Sequence, residues 1–288
     1  MTSLVFKILE HYSGILSKFF ELPRIEVNLL LRFILHSSFE YLHVHSTRQL
    51  SAHTTFLLKK LLIQRIKGKP INYMVGIKNF WCFSLKTKPS VFIPRQNTES
   101  IVDIICRKFF FRNKLSILDL GTGSGVIALA LAKEHPNWKI TSVDSSILSL
   151  MFAKKNAMDL RINSITFIKS DAYKSLSGKK FDVVISNPPY IANGDPFLDY
   201  HVTTHEPGQA LFSTNVGLNC TFHILQNAIV FLKEKGFIIV EHGYQQRRLI
   251  HDFFDSNSYE DVTFYDDTFG NKRAVSGYSK NHTLYDNQ

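Results

Sequence analysis

The 288 residues include 34 Lys+Arg against 24 Asp+Glu, a net charge of +10, and 44% are hydrophobic. This composition can fill the core of one large α/β domain with a smaller companion, and it excludes a low-complexity or disordered chain. Cys82, Cys106 and Cys220 are far apart and odd in number, with no CxxC pair, which argues against a disulfide framework or a zinc site.

The basic residues are dispersed, as in Lys59-Lys60, Lys67-Gly68-Lys69 and Arg247-Arg248. The positive charge therefore suits an acidic or nucleic-acid-associated partner and an ordinary solvated surface about equally. Lys7 and Glu10 interrupt the N-terminus early, and no small-residue cleavage site follows an apolar core. No run of about 18 uncharged apolar residues occurs. The expectation is a cytoplasmic protein with no signal peptide and no membrane span.

Residues 1–70 read as a small helical domain. Leu4, Ile8, Ile15, Leu16 and Phe19 recur at helical spacing, as do Val27, Leu30, Leu31, Ile34 and Leu35. Pro23 suits a helix start, and Gly68-Lys69-Pro70 closes the section. His43, His45 and His53 lack neighbouring cysteines or acids at ligand spacing, so they read as surface histidines and no metal site is expected. Over 71–90 the pattern turns β-like, through Tyr73, Val75, Phe80, Trp81, Phe83 and Leu85, and predicts a hairpin linking two domains.

Residues 91–288 read as the larger domain, where strands and helices alternate. Strands are predicted at Ser116–Asp119, Trp138–Val143, Ile165–Lys169, Phe181–Ser186, Phe237–Glu241, Val262–Tyr265 and Ala274–Tyr278. Helices are predicted at Val126–Lys133, Ile147–Leu160, Leu218–Leu232 and near Gln245–Phe254. Such alternation implies a mostly parallel sheet covered on both faces, with ligands at the carboxyl ends of its strands.

The first of these strands runs into Asp119-Leu120-Gly121-Thr122-Gly123-Ser124-Gly125. Glycines after a strand allow a tight turn and close approach of a ligand to the backbone. A dinucleotide fingerprint would need glycine where Val126 stands, and no Gly-Lys-Ser/Thr follows to make a P-loop. The second strand ends at Asp144, an acid placed to accept ribose hydroxyls. The third ends at Ser170-Asp171-Ala172, where an acid and a backbone N–H can meet an adenine edge.

The fourth strand delivers Asn187-Pro188-Pro189-Tyr190. A planar nitrogen is a poor nucleophile because its lone pair is delocalised. The Asn187 side-chain oxygen and the Pro188 carbonyl can accept its N–H bonds and favour pyramidalisation. The prolines stiffen the loop, and Tyr190 offers a flat face for the planar group. Each feature also has a plainer reading. The glycines can be a generic turn, Asp144 a helix N-cap, and the prolines a turn after a buried strand. Their succession at consecutive strand ends favours a cofactor site beside a catalytic one. The tetrad by itself leaves glutamine amide, adenine N6 and guanine N2 open.

The D-x-G-x-G-x-G pattern resembles motif I of class I S-adenosylmethionine-dependent methyltransferases, a Rossmann-like fold with a mostly parallel seven-stranded sheet. Further segments narrow the resemblance. Gly68-Lys69-Pro70-Ile71-Asn72-Tyr73-Met74-Val75-Gly76 followed by Phe80 resembles the linker of the release factor glutamine methyltransferase family (PrmC/HemK). Phe92-Ile93-Pro94-Arg95-Gln96-Asn97-Thr98-Glu99 is similar to that family's I-P-R-P-E-T-E segment, with Gln96 and Asn97 departing from it. His205-Glu206-Pro207-Gly208-Gln209-Ala210-Leu211 resembles its E-P-x-x-A-L segment. Glu241-His242-Gly243-Tyr244-Gln245 is similar to its E-x-G-x-x-Q strand end, and Asp267–Arg273 to its closing D-L-x-G-x-x-R.

The resemblance is colinear over nearly the whole chain. It implies methyl transfer from S-adenosyl-L-methionine to N5 of the glutamine in the Gly-Gly-Gln loop of peptide-chain release factors. It further implies a helical domain that helps dock the release factor, and a monomer requiring neither nucleic acid nor membrane. The site residues it implies are Asn187, Pro188, Pro189 and Tyr190 for catalysis and substrate. For the cofactor they are Asp119, Gly121, Thr122, Gly123, Ser124, Gly125, Asp144, Asp171, Ala172 and Asn187. The enzymatic rival is a nucleic-acid adenine or guanine methyltransferase. The non-enzymatic rival is a binder that has kept the fold, against which the intact glycine loop, Asp144 and Asn187 argue.

Overall fold

The structure is a computed structural model that describes residues 4–195, 200–256, 258–267 and 270–280. The chain divides into two compact units. The first comprises residues 1–77 with 199–205, and the second comprises residues 78–198 with 206–288.

The first unit contains α1 (Val5–Leu16), α2 (Pro23–Leu35), α3 (Phe39–Val44), α4 (Ala52–Ile66) and α5 (Ile71–Val75). Its core is built from the apolar stripes of these helices: Val5, Ile8 and Leu16 of α1, Leu30 and Leu31 of α2, and Leu58 and Leu62 of α4. Pro23 occupies the first turn of α2, and the Ser38 and Ser51 hydroxyls accept the N–H groups of Tyr41 and Thr54 at the starts of α3 and α4. Arg65 of α4 grips both carboxylate oxygens of Glu26 of α2 at 2.7 Å and stacks on Phe20. Of His43, His45 and His53, His45 stacks on Tyr41.

The hairpin predicted over 71–90 is shorter than its β-like composition implies. Ile71–Val75 forms the helix α5, because Tyr73 and Met74 are buried side by side at helical rather than alternating positions. The strands are confined to β1 (Ile77–Phe80) and β2 (Phe83–Lys86). Their turn is pinned by Trp81, whose backbone N–H donates to Glu99 at 2.8 Å and whose indole N–H donates to Glu134 at 2.6 Å.

The second unit continues with α6 (Glu99–Lys108), β3 (Ser116–Leu120), α7 (Val126–Glu134), β4 (Lys139–Asp144), α8 (Ile147–Asp159), β5 (Ile165–Lys169) and β6 (Phe181–Ser186). Next come β7 (Ile191–Ala192), α9 (Tyr200–His205, which belongs to the first unit), β8 (Phe212–Ser213), α10 (Asn219–Phe231) and β9 (Leu232–Glu241). The last elements are α11 (Arg247–Asp255), β10 (Tyr259–Asp266) and β11 (Lys272–Ser279). Seven strands form one sheet in the order β10-β11-β9-β6-β3-β4-β5. β3, β4, β5, β6 and β9 run parallel, and β11 pairs antiparallel with both β9 and β10.

Alternation along the central strands sends side chains to both faces. Ile117, Val183, Ile185, Phe237 and Ile239 pack with α6 and α7 on one side. Leu118, Leu120, Val184, Ile238 and Val240 pack with α10 and α11 on the other. Each such aliphatic side chain contributes about 1.5–3 kcal/mol by leaving water. The sequence order reverses beside β3: β4 and β5 lie on one side, β6 and β9 on the other. That reversal opens a crevice at the carboxyl ends of these strands. No helix among the described residues is long and apolar enough to cross a membrane.

Candidate active site

The crevice is a cleft of about 650 Å³, within the range that takes a nucleoside-sized ligand. Most of the residues singled out in the sequence stand on its wall: Gly121, Thr122, Gly123, Ser124, Asp144, Asp171, Ala172, Asn187, Pro188 and Pro189. Asp119, Gly125 and Tyr190 stand behind that wall, where they hold the loops that form it.

The glycine loop is built from its hydrogen bonds. The N–H groups of Gly121 and Thr122 both donate to the Val143 carbonyl, at 2.9 and 3.0 Å, and the Gly125 N–H returns to Thr122 O at 2.8 Å. Gly121 and Gly123 have φ of +70° and +57°, and a Cβ on either would meet nothing within 4 Å. The backbone is thus left open to a ligand. At Gly125, with φ of +87°, packing adds to the backbone constraint: a Cβ there would lie 3.1 Å from Ala153 Cβ.

Beneath the loop Asp119 accepts the Thr122 hydroxyl at 2.6 Å. Complete burial lifts its carboxyl to about 7, and the charge of Asp144 adds to the rise. Asp144 accepts the Gly123 N–H at 2.9 Å on one oxygen and the Ser146 N–H at 2.8 Å on the other. Burial raises its carboxyl too, and the two N–H groups oppose that. Each oxygen keeps a second lone pair, as a ribose diol requires. Asp171 is largely exposed, and Lys174 Nζ at 2.6 Å holds its carboxyl below the usual range.

Among the described residues lining the cleft, Arg95 is the only Lys or Arg, set against the carboxylates of Asp144 and Asp171. A polyphosphate would need more cationic charge or a lysine in the loop. The bare glycine backbone, the held ribose-type acid and the net acidity of the wall fit an adenosyl ligand that carries a cationic centre.

Asn187 sits at the end of β6, half-buried, with its Nδ2 donating to Thr98 Oγ1 at 2.9 Å. The Thr98 hydroxyl in turn donates to Glu241 Oε2 at 2.8 Å, and the Tyr190 hydroxyl donates to Glu241 Oε1 at 3.2 Å. Glu241 and Thr98 are 2% and 1% exposed. Burial raises the Glu241 carboxyl, opposed by the two hydroxyl donors and by the charges of Arg273 and Arg95. Burial also drives the Tyr190 hydroxyl well above its ordinary value. The Tyr190 carbonyl accepts Gln246 Nε2 at 2.7 Å, and Gln246 Oε1 accepts the Gly243 N–H at 2.9 Å. The glutamine that serves the tetrad is therefore Gln246, one residue beyond the segment read at Glu241–Gln245.

Two of the segments that carry the family resemblance, Phe92–Glu99 and the one from Glu206 to Leu211, meet at this cleft. Glu206 is buried and accepts the Ile93 N–H at 3.3 Å and Arg95 Nη2 at 2.6 Å, joining segments more than 100 residues apart. Thr268 and Phe269 of the closing segment lie outside the described residues. Thr98, Glu241, Gln246 and Cys220 and His223 on the cleft wall carried no individual role in the sequence reading. For the first three the signal was present, since each stands in or beside a family-like segment. Cys220 and His223 sit in a plain helical pattern that offered none.

The parallel sheet with its single antiparallel strand, and the glycine loop and Asn-Pro-Pro turn on one cleft, define a class I S-adenosylmethionine-dependent methyltransferase. Comparison with known proteins narrows this. The family model "Methyltransferase small domain" matches residues 83–204, and "PrmC N-terminal domain" matches residues 7–76. The release factor glutamine methyltransferase of Salmonella typhimurium is 35% identical over 255 residues, covering 88% of this chain and 92% of its own. That of Escherichia coli is 34% identical over 257 residues, covering 89% and 92%.

Among solved structures, a methyltransferase from Pyrococcus furiosus aligns with a TM-score of 0.53 at 18% identity, covering 77% of this chain and all of that one. A 16S rRNA guanine-N2 methyltransferase from Thermus thermophilus, solved with AdoMet and guanosine, aligns with a TM-score of 0.51 at 14% identity, covering 69% and 47%. These structural likenesses establish the fold. The chain belongs to the release factor glutamine methyltransferase family.

Proposed function

We propose that the chain methylates N5 of the glutamine in the Gly-Gly-Gln loop of peptide-chain release factors, in the cytoplasm and without need of nucleic acid. The family to which the chain belongs supports the choice of glutamine, and the observation that supports transfer to a planar nitrogen is the state of Asn187. Its Nδ2 is spent on Thr98, and no described residue donates to its Oδ1. That oxygen is an acceptor standing on the same cleft as the glycine loop.

Bound S-adenosyl-L-methionine supplies an electrophilic methyl on a sulfonium. The residues assigned to hold it are Gly121, Thr122, Gly123 and Ser124 for the amino-acid part, Asp144 for the ribose, and Asp171 and Ala172 for the adenine edge. Asp119 and Gly125 support the loop from behind. Asn187 Oδ1 and the Pro188 carbonyl accept the two N–H bonds of the substrate amide, which weakens conjugation of its lone pair with the carbonyl. As the nitrogen gains the methyl and positive charge, a proton on it becomes acidic and passes to water, so no strong base is required. Positioning and electrostatics carry the rate. Tyr190 holds the turn through its hydroxyl and its carbonyl. The helical first unit takes the role of docking the release factor.

Asn187→Ala tests the assignment. Single-turnover methylation of a release factor is expected to fall by about 100-fold or more, the cost of losing a positioned acceptor. Asn187 also stands in the proposed cofactor set, so the dissociation constant for S-adenosylmethionine is expected to rise, but by less than about tenfold, since the glycine loop and Asp144 remain. Transfer at the wild-type rate would refute the role given to Asn187.

A further inference from the structure

An asparagine amide presents either an oxygen or an NH2 group, and the two ends differ little in shape. Only one serves here, because an NH2 turned toward the substrate nitrogen would set donor against donor. Something in the protein must fix the choice.

The network behind Asn187 does so by a sequence of forced assignments. Glu241 is 2% exposed and accepts at both oxygens, from Thr98 Oγ1 at 2.8 Å and from Tyr190 Oη at 3.2 Å. A carboxylate can only accept, so the single hydroxyl proton of Thr98 is committed to Glu241. Thr98 Oγ1 then has only lone pairs for Asn187, 2.9 Å away, and the group that can answer a lone pair is Nδ2. The amide oxygen is left facing the cleft. The three links come from distant parts of the chain: Thr98 just before α6, Asn187 after β6, and Glu241 at the end of β9.

Burial raises the Glu241 carboxyl, and its charged form is supported by the Thr98 and Tyr190 hydroxyls and by two guanidiniums. The Arg273 and Arg95 guanidiniums both act on it attractively.

We infer that Thr98 and Glu241 are positioning residues: a carboxylate–hydroxyl relay that sets the polarity of the Asn187 amide and so determines that the site accepts N–H bonds. The inference rests on Asn187 Oδ1 being the acceptor for the substrate nitrogen. It assigns Thr98 and Glu241 no contact with substrate.

The test is a double-mutant cycle between Thr98 and Asn187 in the full-length enzyme. It is read by single-turnover methylation of a release factor, with S-adenosylmethionine affinity and thermal unfolding measured beside it. Thr98→Val keeps the shape and removes the hydroxyl, and Thr98→Ala is a second hydroxyl-free variant should valine perturb folding. Either is expected to slow transfer by about 10- to 100-fold, the scale of a misplaced reacting group, with cofactor affinity within about threefold. Thr98→Ser, which keeps the relay proton, is expected to recover the rate to within about fivefold. On the Asn187→Ala background, loss of the hydroxyl is expected to cost less than about twofold further, since no amide remains to orient.

Equal losses from Thr98→Val on both backgrounds would overturn the relay, as would a Thr98→Ser enzyme as slow as Thr98→Val. If Asn187→Ala alone transfers at full rate, the acceptor reading fails first and the relay with it. That outcome is distinct from a relay that fails while Asn187 still matters.

Discussion

Asp119 is fully buried beneath the glycine loop, with the Thr122 hydroxyl as its short-range donor and the like charge of Asp144 nearby. Its folded carboxyl sits at about 7, against roughly 3.9 in an unfolded chain. Between those values the folded state holds a proton that the unfolded state has released. Stability contributed by this group is therefore complete at low pH and is lost as pH rises through about 7. Asp119→Asn keeps an acceptor for Thr122 and removes the titration. The stability of Asp119→Asn relative to wild type is expected to rise by on the order of 2–3 kcal/mol from pH 5 to pH 8, measured by chemical denaturation. Parallel stability profiles for the two proteins would contradict this account of Asp119.

At the scale of elements, the Asn-Pro-Pro-Tyr turn depends on what packs behind it. Gly217 lies two residues before α10, with φ of +84°, and a Cβ there would lie 2.2 Å from the Tyr190 carbonyl oxygen and 2.7 Å from Gln246 Nε2. That close approach lets Gln246 bond both Tyr190 O and Val216 O. Gly217→Ala should therefore displace the turn as well as strain its own backbone. A loss of about 2–4 kcal/mol is expected from the two effects together, with methyl transfer reduced more than cofactor affinity. Wild-type stability would show that the turn has room to spare.

The turn itself was legible in the sequence because it follows a buried strand, Phe181–Ser186, whose bounds the structure reproduces. Ile165–Lys169 was equally plain. Other elements were hidden for physical reasons. α6 follows Pro94 and the short turn Gln96–Thr98, and its apolar positions Ile101, Val102 and Ile105 only make sense once the sheet they cover exists. β9 begins at Leu232, five residues before the predicted strand, because Leu232 pairs with Phe181; Lys233, Glu234 and Lys235 then form an exposed irregularity before the ladder resumes at Phe237. Ile71–Val75 carries β-type residues but folds as a helix, since tertiary burial of Tyr73 and Met74 overrides propensity. The cleft wall was readable from strand ends. Its supports stood in or beside family-like segments, but their roles were not readable, because Thr98, Glu241 and Gln246 reach Asn187 and Tyr190 only through the closed sheet.

Over the whole molecule, the sheet brings residues from Ser90 to Ile224 onto one cleft, with one supporting residue as distant as Gln246 behind the tetrad. The order reversal beside β3 sets the glycine loop, Asp144 and Asn187 on neighbouring strand ends, and the same architecture serves methyltransferases acting on very different substrates. The net charge of +10 suits an enzyme that meets nucleic acid as well as one that meets a protein. The decisive measurement is therefore the location of the transferred methyl. Labelled S-adenosylmethionine is supplied together with release factors, DNA and rRNA, and the labelled product is mapped by mass spectrometry. Label is predicted on the glutamine side chain of the release factor Gly-Gly-Gln loop, and to be lost when that glutamine is replaced. Label on an adenine or guanine base, with the release factor unmodified, would contradict the account.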